Sequence, residues 1–429
     1  MLIDFNSSSF SIRAFMLVTV LVPFDVYTDS SSVSDINAID NKGILVSERG
    51  VSPLDFAFLF SEEQYLKLTE LSKERLVIVL KSERIKNLVH QIEKYRNLQH
   101  YEWPTLELVK LVLGKKSDEI AKLRWMLVSL EDLHYQDLPP YREKIFDPAI
   151  TVGIKHFQKR HGLEPSGLLT TDTVSLLNTP PSKRASELTS LLFKHITSFK
   201  LEKSEYVEVN IPSYQLRVIK NNREVLKLNV IVGRKKTATP ELNTTISQIT
   251  VNPRWTVPRS IINSDILPKI QVDKFYLGRN DFAFRGYSGN NNIDKIKTID
   301  LQSFRRALKH KQLIQLPGDK NALGHYRFTV PNNSSIFLHD TPRKDLFKVP
   351  KRALSHGCIR VEQPKLLADY LMSREPLKKR ILVEVASRGL HTSHFALSNP
   401  IPIFVTYNTL WLDDNGILQI RPDVYSLEE

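Results

Sequence analysis

The spacing of apolar residues changes near residue 205, from a helical pattern to strand alternation. Between residues 80 and 98, apolar side chains recur every three or four positions with charges between them, as in an amphipathic helix. From residue 206 onward, short alternating runs such as 206–211 and 225–232 are separated by turn residues. We therefore predict a multidomain α+β chain in which helices come first and a mainly β domain covers residues 205–429.

The first thirty residues contain a largely apolar run at residues 14–24, which follows Arg13 and ends before Asp25. Its eleven residues are too few to cross a bilayer as a helix, which takes about 20, but they suit the apolar core of a secretory signal. We expect residues 1–30 to be a signal or anchor-like segment. This predicts export to the periplasm or cell envelope, with a membrane tether if the segment is retained. An N-terminal core strand or helix is the alternative.

Helical patterns dominate the region between residues 45 and 204. A linker rich in Ser, Asp and Asn precedes it at residues 31–45. We divide the region into a helical scaffold at 45–103, a second helical block at 104–180 and a linker helix at 181–204.

The block at residues 104–180 carries helix-capping residues and a short motif. Asp147 followed by Pro148 suits the start of a helix, and Gly162 suits its end. The block resembles the three-helix peptidoglycan-binding domain, whose marks here are Phe157, Gln158, Gly162 and Leu163, followed by residues 167–170. The resemblance implies binding to peptidoglycan. A helical spacer that keeps the fold without the ligand is the alternative.

Cys358 is the only cysteine in the chain, and it lies in the sequence Ser355-His356-Gly357-Cys358-Ile359-Arg360. A solitary cysteine is often inert core packing. Here a hydroxyl, an imidazole and a guanidinium surround it, and such neighbours lower a thiol pKa from about 8.5 to about 4–7. We therefore expect Cys358 to be a reactive nucleophile.

A base for this thiol is offered by His339, nineteen residues upstream. Residues 336–338 predict a buried strand and residues 340–342 its end, which would put His339 where the rigid scaffold meets solvent. An imidazole at such a position suits proton transfer. Because most histidines at strand ends are merely capped or solvated, the prediction depends on the pairing with Cys358.

His339 followed by the Ser355–Cys358 motif resembles the signature of the L,D-transpeptidase catalytic domain, the YkuD fold. The likeness covers about residues 205–425 and points to the multidomain branch with a peptidoglycan-binding domain. It implies that Cys358 is the acyl-accepting nucleophile and His339 its general base. Ser355, His356 and Gly357 would form the turn that orients the thiol and helps to bind the oxyanion. The residues expected to contact substrate are Arg360, which stands where many members carry Asn, Tyr326 and Trp255.

Between residues 259 and 323 the strand alternation gives way to a long insertion with helical stretches at 262–270 and 301–307. Connections of this length are usually functional. The insertion resembles the helical capping subdomain that covers the substrate cleft in the multidomain branch. A decorative surface insertion is the alternative.

Three further elements are predicted after the motif. Pro364 suits the start of a helix. The apolar residues at 380–385 predict a strand, and residues 403–420 predict a hairpin that turns through 413–416. Packing is the expected role of these terminal elements.

Lys and Arg number 60 against 47 Asp and Glu, which gives a formal net charge of +13. No block of five or more basic residues occurs, so we interpret the charges as solvated faces, with no nucleic acid as partner. The excess also suits a carboxylate-rich cell wall. His156 and His161 have no carboxylate companions, and we find no phosphate-binding loop. We expect neither a metal nor a cofactor.

The family resemblance implies a peptidoglycan L,D-transpeptidase. Cys358 would form a thioester with a tetrapeptide stem, release D-alanine and pass the acyl group to the amine of a second stem as a 3-3 cross-link. Attack by water would instead make an L,D-carboxypeptidase, and attack by a protein amine would attach that protein to the wall. A non-catalytic peptidoglycan-binding protein is the remaining alternative.

Overall fold

The computed structural model describes residues 59–69, 83–134, 144–198, 204–221, 223–287 and 292–427. Two compact units divide the chain, Met1–Tyr65 and Leu66–Glu429, and the account below concerns the second. The predicted signal or anchor-like segment at residues 1–30 lies outside the described residues. Where the structure describes the chain, no helix has both the length and the apolar character needed to cross a membrane.

Helices make up the described residues before the β region, as the sequence predicts. They are α1 (Glu62–Thr69), α2 (Glu83–Leu98), α3 (Asp118–Ser129), α4 (Pro148–Arg160), α5 (Thr171–Leu177) and α6 (Pro181–Ser198). Side-chain caps explain where three of them begin, because Ser117, Asp147 and Thr170 each accept a hydrogen bond from a backbone N–H of the first turn. Helices α2 and α6 pack against each other.

The block that contains α3, α4 and α5 is held together by buried polar contacts. Gln158 is fully buried and accepts a hydrogen bond from Gly167 N–H, while its amide donates to Leu168 C=O and to the Thr173 hydroxyl. Arg160 forms a bidentate pair with Asp132 at 2.7 and 2.6 Å. The motif around Gln158 therefore has a structural role. Peptidoglycan binding by this block stays a prediction, as do the domain boundaries.

The β region is built from fifteen strands in the described part of the chain. They are β1 (Glu205–Asn210), β2 (Gln215–Lys220), β3 (Arg223–Gly233), β4 (Leu242–Val251), β5 (Trp255–Thr256), β6 (Phe282–Gly286), β7 (Ile293–Lys295), β8 (Lys311–Gln315), β9 (Tyr326–Thr329), β10 (Leu338–His339), β11 (Ala353–Ser355), β12 (Ile359–Val361), β13 (Ser393–Thr406), β14 (Leu410–Leu412) and β15 (Leu418–Ile420).

Nine of these described strands form one sheet, in the order β11-β3-β12-β10-β9-β4-β13-β1-β2. Strand β3 pairs over most of its length with β2 and near its carboxyl end with β12, so the sheet closes on itself. One face carries the main apolar core, in which Phe328, Leu338 and Ile359 are fully buried. This core fixes the short strands on either side of the candidate site.

Two helices, α11 (Pro364–Ser373) and α12 (Leu377–Ser387), follow the nine-stranded sheet's last short strand, β12. Helix α11 begins at Pro364 as predicted, but the predicted strand at 380–385 is wrong, because this segment lies in α12. Only Val383 of its apolar side chains is buried; Ile381 and Val385 are 53% and 62% exposed. A strand would have aligned these three on one face. Asn252 stabilises the end of α12 through amide N–H bonds to Ala386 C=O and Gly389 C=O.

The terminal hairpin is smaller than predicted. Strands β14 and β15 pair with each other as expected. Residues 403–406 instead belong to the long strand β13, which lies between β1 and β4 in the main sheet.

The insertion at residues 259–323 has an apolar core of its own. Its helical segments are α7 (Arg259–Ile261), a π-helical stretch (Ile262–Ile266), α8 (Leu267–Val272), α9 (Tyr276–Arg279) and α10 (Leu301–Ala307). The sequence predicted the helical stretches at 262–270 and 301–307. It predicted neither α7 and α9 nor the antiparallel sheet beside the helices, which has the order β5-β8-β6-β7 among the described strands. The insertion is therefore α+β rather than helical, and its sheet begins at Trp255, ahead of the predicted boundary.

Candidate active site

The segment Ser355–Cys358 forms a tight turn between β11 and β12. The Ser355 hydroxyl donates to Cys358 C=O at 2.6 Å and accepts from Gly357 N–H at 3.0 Å, so one side chain closes the turn. Gly357 has a φ of +117°, a conformation that L side chains rarely adopt. The predicted role of Ser355 and Gly357 in shaping the turn agrees with this geometry.

A second layer of hydrogen bonds holds the turn to the segment after β3. The Thr239 hydroxyl donates to Gly357 C=O at 2.7 Å and accepts from Gly233 N–H at 2.8 Å. Arg234 N–H donates to Ser355 C=O at 3.0 Å. Thr239 was missed from the sequence because its contact partner lies more than one hundred residues away along the chain.

The Cys358 thiol is largely enclosed and lies 3.9 Å from the carbonyl oxygen of Ser335. Burial raises the pKa of this thiol, and the backbone N–H of Phe337 and the guanidinium of Arg360 only partly oppose the effect. The expectation of a lowered thiol pKa is therefore wrong, because loss of solvent outweighs the neighbouring positive charge. At rest the side chain is a neutral thiol.

His339 is buried, with 5% of its surface exposed, rather than placed where the scaffold meets solvent. Its Nδ1 is hydrogen-bonded to the Asp340 carbonyl oxygen, which assigns the proton to Nδ1 and leaves a lone pair on Nε2. Burial, followed by the charge of Arg360, lowers the pKa of His339 to about 3. A neutral imidazole with a free lone pair can accept a proton.

His339 is flanked by arginines on both neighbouring strands. It pairs with Arg327 on β9 and with Arg360 on β12, and residues paired in this way project from the same face of a sheet. We call these three residues the Arg–His–Arg row. Burial lowers the pKa of both arginines. The Nε atoms of Arg327 and Arg360 are buried and have no hydrogen-bond partner among the described residues.

His356 faces the insertion. Its Nε2 lies 3.5 Å from Asp265 Oδ2, in the π-helical stretch. Burial lowers the pKa of His356 and the Asp265 carboxylate partly offsets this, so the imidazole is neutral near pH 7. Its Nε2 is buried and forms no hydrogen bond to any residue that the structure describes.

Two predicted substrate-contacting residues lie elsewhere. Tyr326 belongs to the main core, and burial raises the pKa of its hydroxyl, an effect that Ser387 of α12 partly opposes. Because side chains alternate along β9, Tyr326 projects from the face opposite Arg327. Trp255 pairs with Gln315 in the small sheet and packs against the insertion's core. In the sequence, the charged Arg327 lies between the aromatic residues Tyr326 and Phe328. This alternation could have shown that Arg327, and not Tyr326, projects from the same face as His339.

Three features thus meet in one part of the main sheet: a lone thiol on a rigid turn, a neutral imidazole and a pair of half-buried guanidinium groups. In the described residues, no group of three or more His, Cys, Asp or Glu is placed to hold a metal ion. This arrangement suits acyl transfer through a cysteine.

Comparison with known proteins agrees with the resemblance that the motif carries. Residues 204–383 match the model of the L,D-transpeptidase catalytic domain, the YkuD family, and this range includes His339 and Cys358. The match covers less than half of the chain.

The chain is 35% identical over 224 residues to a putative L,D-transpeptidase of Haemophilus influenzae; the matched region covers 51% of this chain and 44% of that protein. Similar solved structures include an L,D-transpeptidase from Stackebrandtia nassauensis, with 14% identity, coverage of 70% of this chain and 97% of that one, and a TM-score of 0.25. An L,D-transpeptidase from Mycobacterium smegmatis shows 12% identity, coverage of 47% and 58%, and a TM-score of 0.23. The chain spans less than half the length of the Haemophilus relative.

Proposed function

We propose that this protein is a peptidoglycan L,D-transpeptidase that uses Cys358 as nucleophile and His339 as general base. The observation that carries the proposal is the strand pairing of Ile359 with Leu338 and of Arg360 with His339. This pairing brings the residue after the only cysteine beside the strand that carries the buried imidazole. It lies within a domain of the L,D-transpeptidase family.

The first step starts from a neutral thiol and a neutral imidazole. The thiol proton passes to His339 Nε2 as the sulfur attacks the carbonyl carbon of the third residue of a tetrapeptide stem. A carbon–sulfur bond forms and the carbonyl electrons move to its oxygen. When the intermediate collapses, the bond to D-alanine breaks and its nitrogen takes the proton from His339. D-alanine leaves, and a thioester remains on Cys358.

The negative charge that develops in this step is stabilised by two kinds of hydrogen-bond donor. The expectation that Gly357 N–H binds the oxyanion is revised, because that N–H is bonded to the Ser355 hydroxyl. Cys358 N–H has no hydrogen-bond partner among the described residues, so we assign the oxyanion to it. Arg360 supplies a guanidinium for the thiolate or for a donor carboxylate.

In the second step the amine of another stem attacks the thioester and displaces the thiolate, which gives a 3-3 cross-link. A substrate of this kind lies in the cell envelope, and we propose that the protein acts there. The helical block at residues 104–180 would hold the same polymer.

The test is product analysis. Purified protein is incubated with a disaccharide-tetrapeptide, and the products are separated by chromatography and identified by mass. We expect free D-alanine and a 3-3 dimer, both absent with Cys358→Ser and His339→Gln. Tripeptide without dimer would indicate a carboxypeptidase, and dependence of product on an added protein amine would indicate wall attachment. No product from folded protein would support the non-catalytic, peptidoglycan-binding alternative.

A further inference from the structure

The neighbourhood of the thiol is strongly cationic, which conflicts with one of the two substrates of the proposed reaction. Arg327 and Arg360 flank His339, and Arg234 acts on His356. An amine acceptor approaches as an ammonium, and like charges repel it. A water molecule meets no such barrier, so this field favours hydrolysis unless a negative group offsets it.

Asp265, from the insertion, is a carboxylate that faces this cationic region. Asp340 also acts on His339, but its own carboxylate is paired with Lys344. Its Oδ2 lies 3.5 Å from His356 Nε2, and its charge also acts on Arg360. The Ser264 hydroxyl donates to Oδ1 at 2.6 Å, which orients the carboxylate and leaves Oδ2 toward the turn.

The backbone conformation around Asp265 fixes the direction of its side chain. Ile262 and Ile266, at the ends of the π-helical stretch, are both buried in the insertion's core. Their anchoring leaves Asp265, between them, on the partly exposed side, where 36% of its side chain is exposed. π-Helical turns are rare and often occur at functional sites.

His356 lies against the carboxylate on the side of the turn. Its buried Nε2 is 3.5 Å from Asp265 Oδ2, so the imidazole helps to fix the position of Asp265. An ammonium group has three N–H donors and no acceptor. It therefore matches the partly exposed carboxylate of Asp265.

We propose that Asp265, positioned beside His356, binds the ammonium group of the acceptor stem and thereby directs the thioester to transpeptidation instead of hydrolysis. This assignment rests on the proposed function and adds a specificity-determining residue from the capping insertion.

The acceptor enters as R–NH₃⁺ and gives one proton to solvent, which leaves a neutral amine at the site. The nitrogen lone pair attacks the thioester carbon, a carbon–nitrogen bond forms and the carbon–sulfur bond breaks. The nitrogen's second proton passes through His339 Nε2 to the departing Cys358 sulfur. The products are an amide and the free thiol.

The experiment measures the partition of the acyl-enzyme in Asp265→Asn. Full-length protein is acylated with disaccharide-tetrapeptide, and dimer and tripeptide are quantified at rising concentrations of acceptor stem. We expect the dimer-to-tripeptide ratio to fall by about 10-fold or more, the size of a lost charge-assisted hydrogen bond. The ratio is taken from enzyme that is already acylated, so it does not depend on how fast Cys358 is acylated, and Asp265→Glu should recover part of it.

Hydroxylamine distinguishes recognition of charge from general damage, because it is mostly uncharged near neutral pH. Its attack on the thioester should be equal in wild type and Asp265→Asn. Asp294→Asn is the matched control, since Asp294 is in the same insertion and forms an exposed pair with Lys311; its ratio should equal that of wild type.

An unchanged ratio in folded Asp265→Asn would overturn the inference, as would an equal loss with hydroxylamine. If wild-type protein forms no acyl-enzyme, the proposed function fails first and this inference fails with it. If wild type is acylated but makes no dimer at any acceptor concentration, the proposed cross-linking fails and the inference fails with it. If wild type makes dimer and folded Asp265→Asn gives the same dimer-to-tripeptide ratio, only the inference is overturned.

Discussion

The Ser355–Cys358 turn and the Arg–His–Arg row adjoin each other in the main sheet, but they differ in how far their polar groups are hydrogen-bonded within the protein. In the turn, the Ser355 hydroxyl, Gly357 N–H and Gly357 C=O all have partners within the protein. In the row, the buried Nε atoms of two half-buried arginines have none among the described residues. A buried unpaired donor costs free energy that a ligand can recover. Apart from Cys358 N–H, which we assign to the oxyanion, and His356 Nε2, the turn is thus satisfied without substrate, whereas the row suits an anionic partner.

Replacing Arg360 should have the largest effect and should separate activity from stability. In Arg360→Met the thiolate and any donor carboxylate lose a guanidinium, so we expect Cys358 acylation to slow by about 100-fold or more. Unfolding in urea should show equal or greater stability, because an unpaired buried charge is removed. Arg360→Lys should be intermediate in rate. A variant that acylates normally, or that is clearly destabilised, would contradict the view that the row serves substrate.

In contrast to the replacement of Arg360, the replacement Gly357→Ala in the turn should reduce the stability of the protein. A φ of +117° strains any residue with a Cβ, and the added atom would lie 3.1 Å from Ile336 Cδ1. We expect a loss of about 2–3 kcal/mol in the free energy of unfolding, measured in urea. Gly286→Ala is the control, because nothing lies within 4 Å of its added Cβ; it should stay within about 0.5 kcal/mol of wild type. Equal effects at the two glycines would show that the turn is not strained by a side chain.

A smaller loss of stability is expected for Thr239→Val, because this substitution keeps the shape of the side chain and removes only its hydroxyl. Gly233 N–H and Gly357 C=O would then be buried without that partner. We predict a decrease of about 1–2 kcal/mol in the free energy of unfolding, together with slower acylation as the turn loosens. Thr256→Val, at an exposed position in β5, should be neutral. Wild-type stability in Thr239→Val would show that this second layer does not support the turn.

The smallest expected effect is a change in how the free energy of unfolding depends on pH. The folded-state pKa of His339 is about 3 against an ordinary value of about 6.5, so the unfolded chain binds more protons between these values. The contribution is fully present above pH 6.5 and is lost as pH falls toward 3. At pH 5.5 the part that has been lost is about 1.4 kcal/mol. His339→Gln should therefore lose about that much less stability than wild type between pH 7.5 and 5.5; an identical decline would mean that His339 is not buried in its neutral form.

Local signals in the sequence were sufficient for the caps at Asp147 and Gly162, the start of α11 at Pro364 and the motif around Cys358. Long-range pairing was not accessible. The row depends on the register of β9, β10 and β12, and the position of Asp265 depends on how the insertion packs. The direction of the thiol pKa depended on burial, which the flanking residues could not reveal. The strand prediction for residues 380–385 was wrong because the apolar run suits a strand by composition, whereas only Val383 is buried in the structure.

The most direct test of the central claim is the intact mass of the protein after brief incubation with a disaccharide-tetrapeptide, followed by mapping of the modified peptide. The account predicts a covalent adduct equal to the donor minus D-alanine, located on Cys358, and absent in Cys358→Ser. Because the chain has one cysteine, the assignment of a thioester is unambiguous. Release of D-alanine by folded Cys358→Ser at the wild-type rate, or an adduct on another residue, would contradict the account.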